Sequence, residues 1–310
     1  MRSRLAVLVA IVIAAGAVVF AVSRLVSFSS DTGALPTDQA SYLGVYESGA
    51  LQSYQPIADF SKAAGMPPNL VGYYSGWKEA FQVAFAETVR SHGATTLLQW
   101  DPTDTSVSKI AAGGFDSYLR SFARSVRDFG HPVVIGFGHE MNADWYSWGY
   151  GHLSASTFVA AWRHIVTLFR NQGASNVTWL WTLQADESGT GPIASWWPGA
   201  QYVTWVGIDG YYYYPSETFF SIFGQTIAQV RMFTGLPILL SEVGVGPDAG
   251  QAGKIPELFA GMRQYGTLGL VWFDIAQHQG IYHQDWHIED NPAAETAFRR
   301  GASTLTLAHP

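Results

Sequence analysis

Eight short runs of β-branched, aromatic and aliphatic residues, each closed off by Gly, Pro or polar residues, recur from residue 42 onward, and that count constrains the fold more than anything else. They are YLGVYE from Tyr42, NLVGYYS from Asn69, ATTLLQW from Ala94, PVVIGFGHE from Pro132, NVTWLWT from Asn176, YVTWVGIDGY from Tyr202, LPILLSEVG from Leu236 and TLGLVWFD from Thr267. Helical patterns separate most of them. From Phe115 to Phe129 and from Ser156 to Asn171, apolar residues return every three or four positions. A strand every roughly 25 to 45 residues suits an eightfold βα unit, so the expected fold is a single α/β domain, a (β/α)8 TIM barrel of about 250 residues. An open doubly wound sheet is the competing architecture. It is disfavoured because no glycine-rich phosphate-binding motif follows the first run and because eight strands suit closure. The runs show little strict alternation, as expected of parallel strands covered by helices.

The chain has 310 residues, 48% hydrophobic and 13% charged, enough for one large core. A net charge of -7 with thinly spread basic residues leaves no footprint for a phosphate backbone, so nucleic acid is not an expected partner. Without cysteine, disulfides, thiolate metal sites and a Cys nucleophile are excluded. At the N-terminus Arg2 and Arg4 precede an uncharged apolar run from Leu5 to Val22. As a helix it reaches roughly 27 Å, close to the roughly 30 Å hydrocarbon core of a bilayer. Residues 1–26 therefore read as a signal segment, expected to stay as a membrane anchor. The small residues Ala21 and Ser23 would serve a signal peptidase if it were cleaved instead. Residues 27–40, small and polar, read as a flexible linker, and 41–310 as the barrel. An extracytoplasmic monomer, tethered or secreted, is the expectation.

Unusual residues gather where the runs end. His139, Glu140, Met141 and Asn142 end the fourth, Asp209 and Tyr211 the sixth, Ser241 and Glu242 the seventh, and Trp272 and Asp274 the eighth. Barrel enzymes keep their chemistry at that face. Ends of strands four and seven can face each other across a barrel mouth, and two carboxylates so placed are the minimum for cleaving a glycosidic bond: an acid for the leaving oxygen and a partner across the anomeric carbon. The plain alternative is a glutamate salt-bridged at the rim.

HEMNADWYSWG (His139 to Gly149), YVTWVGIDGY (Tyr202 to Tyr211), LPILLSEVG (Leu236 to Gly244) and VWFD (Val271 to Asp274) together resemble glycoside hydrolase family 26, a group of retaining barrel glycosidases. The resemblance covers nearly the whole domain. It implies Glu140 as acid/base and Glu242 as nucleophile. It also implies His139 at the sugar before the scissile bond, Tyr211 as donor to the nucleophile, and Trp272 as the floor of that sugar site. One departure stands out: many relatives carry an arginine shortly before the HE pair, where this chain has the glycine-containing stretch Ile135 to Gly138. The acid/base strand is therefore expected to be braced differently.

Twelve tryptophans and fifteen tyrosines supply planes for the apolar faces of sugars, and also fill cores. Trp145 and Trp148 are expected in the cleft with Trp272, and Asn142 and Asp209 beside them, whereas Trp196 and Trp197 stay unassigned. His278, His283, His287 and Asp285 have no regular ligand spacing, so neither a metal nor a cofactor is expected. The resulting expectation is a retaining endo-β-glycanase on a polysaccharide, β-mannan first, then mixed-linkage β-glucan and β-xylan. A non-catalytic carbohydrate-binding barrel and a transglycosylase are the alternatives.

Overall fold

The computed structural model of the chain describes residues 34–185, 188–277 and 284–309. Eight parallel strands close into a barrel in chain order: β1 Tyr42–Glu47, β2 Leu70–Gly76, β3 Thr95–Asp101, β4 Val133–Phe137, β5 Val177–Gln184, β6 Trp205–Tyr212, β7 Ile238–Val245 and β8 Gly269–Asp274, which pairs back onto β1. Each of the eight runs read from the sequence holds all or most of one of them, and β2, β3, β5, β6 and β7 continue one or two residues past their runs. The helices are α1 Gln55–Ala64, α2 Val83–Ser91, α3 Val107–Ala111, α4 Asp116–Phe129, α5 Ala155–Asn171, α6 Gln225–Arg231, α7 Gln251–Gln264 and α8 Pro292–Ala302. Among the described residues between β5 and β6 stand only two short 3-10 turns, Ile193–Trp196 and Ala200–Tyr202. That connection carries Pro192 and Pro198 together with Gly191 and Gly199, which deny a helix its donors and its rigidity.

The helices form for the reasons their sequences suggest. In α4 the buried residues are Leu119, Phe122, Ala123, Val126 and Phe129, a single stripe, and the helix stops at Gly130 in the left-handed conformation. Ser154 caps α5 by accepting from the Thr157 amide at 3.2 Å.

Two apolar layers result. The larger lies between the strands and the helices. The smaller fills the barrel itself, from Leu35, Tyr42, Leu70, Leu97, Val134, Leu180, Trp205, Leu239 and Val271, with the Tyr42 and Trp205 rings 5.0 Å apart. Above this plug the interior turns polar. Gly136 makes room there: a Cβ at that position would lie 2.0 Å from Gln99 Oε1. Gln99 crosses over it and donates to Thr182 Oγ1 at 3.1 Å. This bridge between β3 and β5 spans β4 at its glycine-containing stretch.

The base of the barrel is tied by Asn69. Its Nδ2 donates to the carbonyls of Ser41 and Ala308, at 2.8 and 2.9 Å, and its Oδ1 accepts from Leu43 N at 3.0 Å. The backbone of 306–308 hydrogen-bonds to Ala40 and Ser41. Leu35 is buried and the Pro36 carbonyl accepts from the Tyr42 hydroxyl at 2.7 Å. The packed domain thus starts by residue 35, six residues before the expected boundary, because an apolar side chain inside the polar stretch plugs the barrel bottom. The proposed anchor, 1–26, lies outside the described residues. Among the described residues no helix is long and apolar enough to cross a membrane.

Candidate active site

Two backbone irregularities turn the carboxylates into the mouth. In a strand successive side chains point to opposite faces, so Leu239 inward and Leu240 outward would send Ser241 in and Glu242 out. Between β6 and β7 the register slips: Ile208 pairs with Leu240, but Asp209 pairs with Glu242. The extra residue, Ser241, donates to Asp209 Oδ1 at 2.5 Å, and Glu242 regains the inward face. At the end of β4, Gly138 has φ +56° and Glu140 has φ +52°. A left-handed conformation at glutamate is strained, a cost of order 1–3 kcal/mol that surrounding structure must hold. It brings His139 and Glu140, neighbours in sequence, to one cleft.

The cleft, about 470 Å3, is lined by Tyr74, Asp101, His139, Glu140, Trp145, Tyr146, Gln184, Tyr211, Tyr213, Glu242 and Phe273. Trp145 Nε1 donates to Glu140 Oε2 at 2.7 Å. Glu242 accepts from two tyrosines, from Tyr211 at 2.7 Å on Oε2 and from Tyr74 on Oε1. His139 Nδ1 is 2.8 Å from Asp101 Oδ1. One carboxylate oxygen from each of Glu140, Asp209 and Glu242 lies within 4.8 Å of the others, and all three residues are buried.

Burial raises Glu242 above the ordinary carboxylate value, opposed by the His139 charge and the hydroxyls of Tyr74 and Tyr211. Burial would lower His139, but the contact with Asp101 and the nearby Glu140 and Glu242 outweigh it and hold the imidazole well above its usual value. Asp209, wholly buried beneath both glutamates, is raised well above the carboxylate range by burial and then by their charges. The site therefore pairs an imidazolium with closely packed acids that cannot all ionise together.

The sequence pattern of glycosyl hydrolase family 26 matches residues 99–304. This chain belongs to that family. Over 268 residues it is 30% identical to Endoglucanase H of Acetivibrio thermocellus, covering 81% of this chain and 29% of that protein. Over 150 residues it is 29% identical to mannan endo-1,4-beta-mannosidase A and B of Caldalkalibacillus mannanilyticus, covering 46% of this chain and 26% of that one. The chain thus spans little more than a quarter of the length of either relative. In fold it is similar to the catalytic domain of the family 26 endo-beta-1,4-mannanase of Bacillus sp. JAMB-750, with TM-score 0.65 and 17% identity over 85% of each chain.

Of the residues singled out in this family 26 sequence, Glu140, Glu242, His139, Tyr211 and Trp145 line one cleft. Four do not. Trp272 is wholly buried and points outward, its ring 5.1 Å from Phe298 of α8 and its Nε1 donating to the Trp286 carbonyl at 3.0 Å. Its neighbour Phe273 faces the cleft instead, because adjacent strand residues take opposite faces. Trp148 is buried behind the site, stacked on Tyr146 at 4.4 Å and donating to the His139 carbonyl at 2.9 Å. Asn142 is buried and exchanges two 2.9 Å hydrogen bonds with the Gln184 backbone. Asp209 lies under the cleft, not in its lining. Gly138 has its open side toward Phe158 and Trp148 of the outer layer. Trp196 is core, and Trp197 packs on Trp181 and Phe233. His287 Nδ1 is 2.6 Å from Asp285, while His278 and His283 lie outside the described residues.

Sequence reasoning missed Tyr74, Asp101, Tyr146, Gln184, Tyr213 and Phe273. Tyr74, Asp101 and Gln184 end or nearly end β2, β3 and β5, so the signal that found Glu140 and Glu242 was present there too.

Proposed function

We propose that the protein is a retaining endo-β-glycanase in which Glu242 is the nucleophile and Glu140 the acid/base. The observation that carries this reading is the close approach of the two carboxylates, one oxygen of each lying within 4.8 Å of one oxygen of the other across one cleft, which suits the about 5 to 5.5 Å separation of a retaining pair. Glu242 attacks the anomeric carbon while Glu140 protonates the departing oxygen. Glu140 then takes a proton from the water that releases the covalent intermediate. Two tyrosine hydroxyls hold charge on Glu242 against its burial, and their bonds must loosen as that charge passes to the new C–O bond. His139, fixed through Nδ1 by Asp101, leaves Nε2 for a substrate hydroxyl. A non-catalytic barrel would have no use for two donors on one carboxylate.

Family membership favours β-mannan. A 268-residue match to an endoglucanase sets β-glucan beside mannan, although that name belongs to a protein more than three times the matched length. NMR of the first product released from mannan or mixed-linkage glucan tests the mechanism: the β-anomer is expected first, and an α-anomer first would remove Glu242 as nucleophile. Residues 1–26 supply the reading of location. The full chain is expected in the membrane fraction and a chain lacking residues 1–34 in the soluble one, with full-length product trimmed into the medium refuting the anchor.

A further inference from the structure

The seam that closes the barrel, where β8 pairs back onto β1, ends at the mouth in two acids. Glu47 is the last residue of β1, Asp274 is the last of β8, and the two are paired in register. Glu289, from the segment between β8 and α8, joins them, and one oxygen from each of the three lies within 4.8 Å of the others. Carboxylates gathered this closely repel one another, and in water the repulsion would be screened. Here the screening is poor, because Asp274 is wholly buried and Glu47 and Glu289 are partly so.

Protein donors do not answer the crowding. Asp274 Oδ1 accepts from Trp272 Nε1 at 3.1 Å and from Ile288 N at 3.2 Å, which fixes the carboxyl and leaves Oδ2 for Glu47 and Glu289. That Oδ2 is buried with no hydrogen-bond partner among the described residues, and so is Glu289 Oε2. Among the described residues no lysine, arginine or histidine forms an ion pair with any of the three. Burial, then the charges of Glu47 and Glu289, pushes Asp274 up to about 11, and burial pushes Glu47 up to about 8. The catalytic acids are equally crowded, yet His139, two tyrosines and Ser241 face them. A buried carboxylate oxygen with neither donor nor counter-charge is unusual in a folded protein.

We infer that Glu47, Asp274 and Glu289 bind a calcium ion. All three offer carboxylate oxygens, which select a hard cation. Calcium holds oxygens at about 2.3–2.6 Å, so its shell is about 4.6–5.2 Å across, and three oxygens within 4.8 Å of one another fit around one ion. Magnesium gives up its waters reluctantly and demands strict octahedral geometry, so it suits three crowded carboxylates less well. Glu47 also lines a recess of about 170 Å3, through which the ion enters and water completes its shell. None of the three acids lines the catalytic cleft, so the ion braces rather than reacts. It ties the ends of β1 and β8 to the segment that carries Trp286, whose ring lies 4.9 Å from that of Tyr211, a donor to Glu242.

The test melts the full chain, stripped of divalent ions with EGTA, in buffer with and without added calcium. For a Kd of about 10 µM, calcium at about 1 mM should raise the melting temperature by about 5–10 °C, and magnesium at the same concentration by less. Terbium in calcium's place should emit when tryptophan is excited, because Trp272 donates to Asp274, and calcium should displace it. Glu47→Gln and Glu289→Gln should each lose both the calcium-dependent rise and the terbium emission. Both side chains are partly exposed, so neither variant is expected to unfold, and if one does the other decides. A parent that melts at the same temperature with and without calcium holds three acids that share protons instead, which overturns the inference. So does a parent without calcium-displaced terbium emission, or a calcium-dependent rise that either variant keeps in full.

Discussion

The lower and upper halves of the barrel interior are built from the same strands to opposite purposes. Below, Leu97, Val134, Leu180 and Leu239 close around the Tyr42 and Trp205 rings with no regard to chemistry. Above, three to six residues further along the chain from those leucines and that valine, stand Asp101, Glu140, Gln184 and Glu242. The lower half is regular and follows strict alternation. The upper half breaks it twice, at the slip beside Ser241 and at the left-handed Glu140. Regular packing secures the fold, and the departures from it aim the acids.

If that division is right, mutations at the two levels separate cleanly into losses of rate and losses of stability. The largest effect is expected at Glu140. Glu140→Ala should slow cleavage of ordinary β-glycosides by about 10²- to 10⁴-fold, the scale of a positioned general acid, with its melting temperature little changed. An activated aryl glycoside should still release a burst of phenol, and azide should restore turnover with a β-glycosyl azide as product. Glu242→Ala should show no such rescue with retained configuration. Failure of azide on Glu140→Ala, with the aryl substrate equally impaired, assigns the acid/base role elsewhere.

The plug should answer in the other currency. Leu97→Ala is expected to cost about 2–5 kcal/mol in denaturant unfolding, the range for a buried leucine, and to leave kcat at low temperature near that of the parent. A large loss of kcat without loss of stability would merge the two levels.

The smallest effect sharpens the picture of the nucleophile. Tyr74→Phe removes one of two hydroxyls that hold Glu242 down against burial, so the Glu242 carboxyl should rise further. Only ionised Glu242 attacks, and a higher value means protonation sets in earlier as pH falls. The acid limb of kcat/KM should therefore move to higher pH, with about a tenfold loss on that limb, as one lost bond to a charged group implies. An acid limb that stays in place would release Tyr74 from this role.

Much of this was legible beforehand. The eight apolar runs mark the eight strands to within one or two residues because parallel strands under helices need β-branched residues on both faces, and Glu140 and Glu242 stand near strand ends. What escaped was facing. Whether Trp272 or Phe273 looks into the mouth depends on a parity set by register with β1 and β7, not by the letters VWFD. Tyr74 and Asp101 escaped for a different reason: the strand-end signal is there in YYS and QWD, but only closure of the barrel brings Tyr74 to Glu242 and Asp101 to His139. The helix missing between β5 and β6 was written in its prolines.

The tie made by Asn69 has a consequence for how such a domain can be assembled into larger proteins. Ser41 and Ala308 are held side by side at the bottom of the barrel, on the pole opposite the cleft. A partner module grafted at either of those points would leave from the same spot, facing away from the substrate, and would obstruct neither its approach nor its exit. For the same reason a short bridge could join the two points and the chain could be reopened in an exposed turn elsewhere. Such a rewired domain should keep its activity, since no part of the mouth depends on where the backbone is cut at its foot.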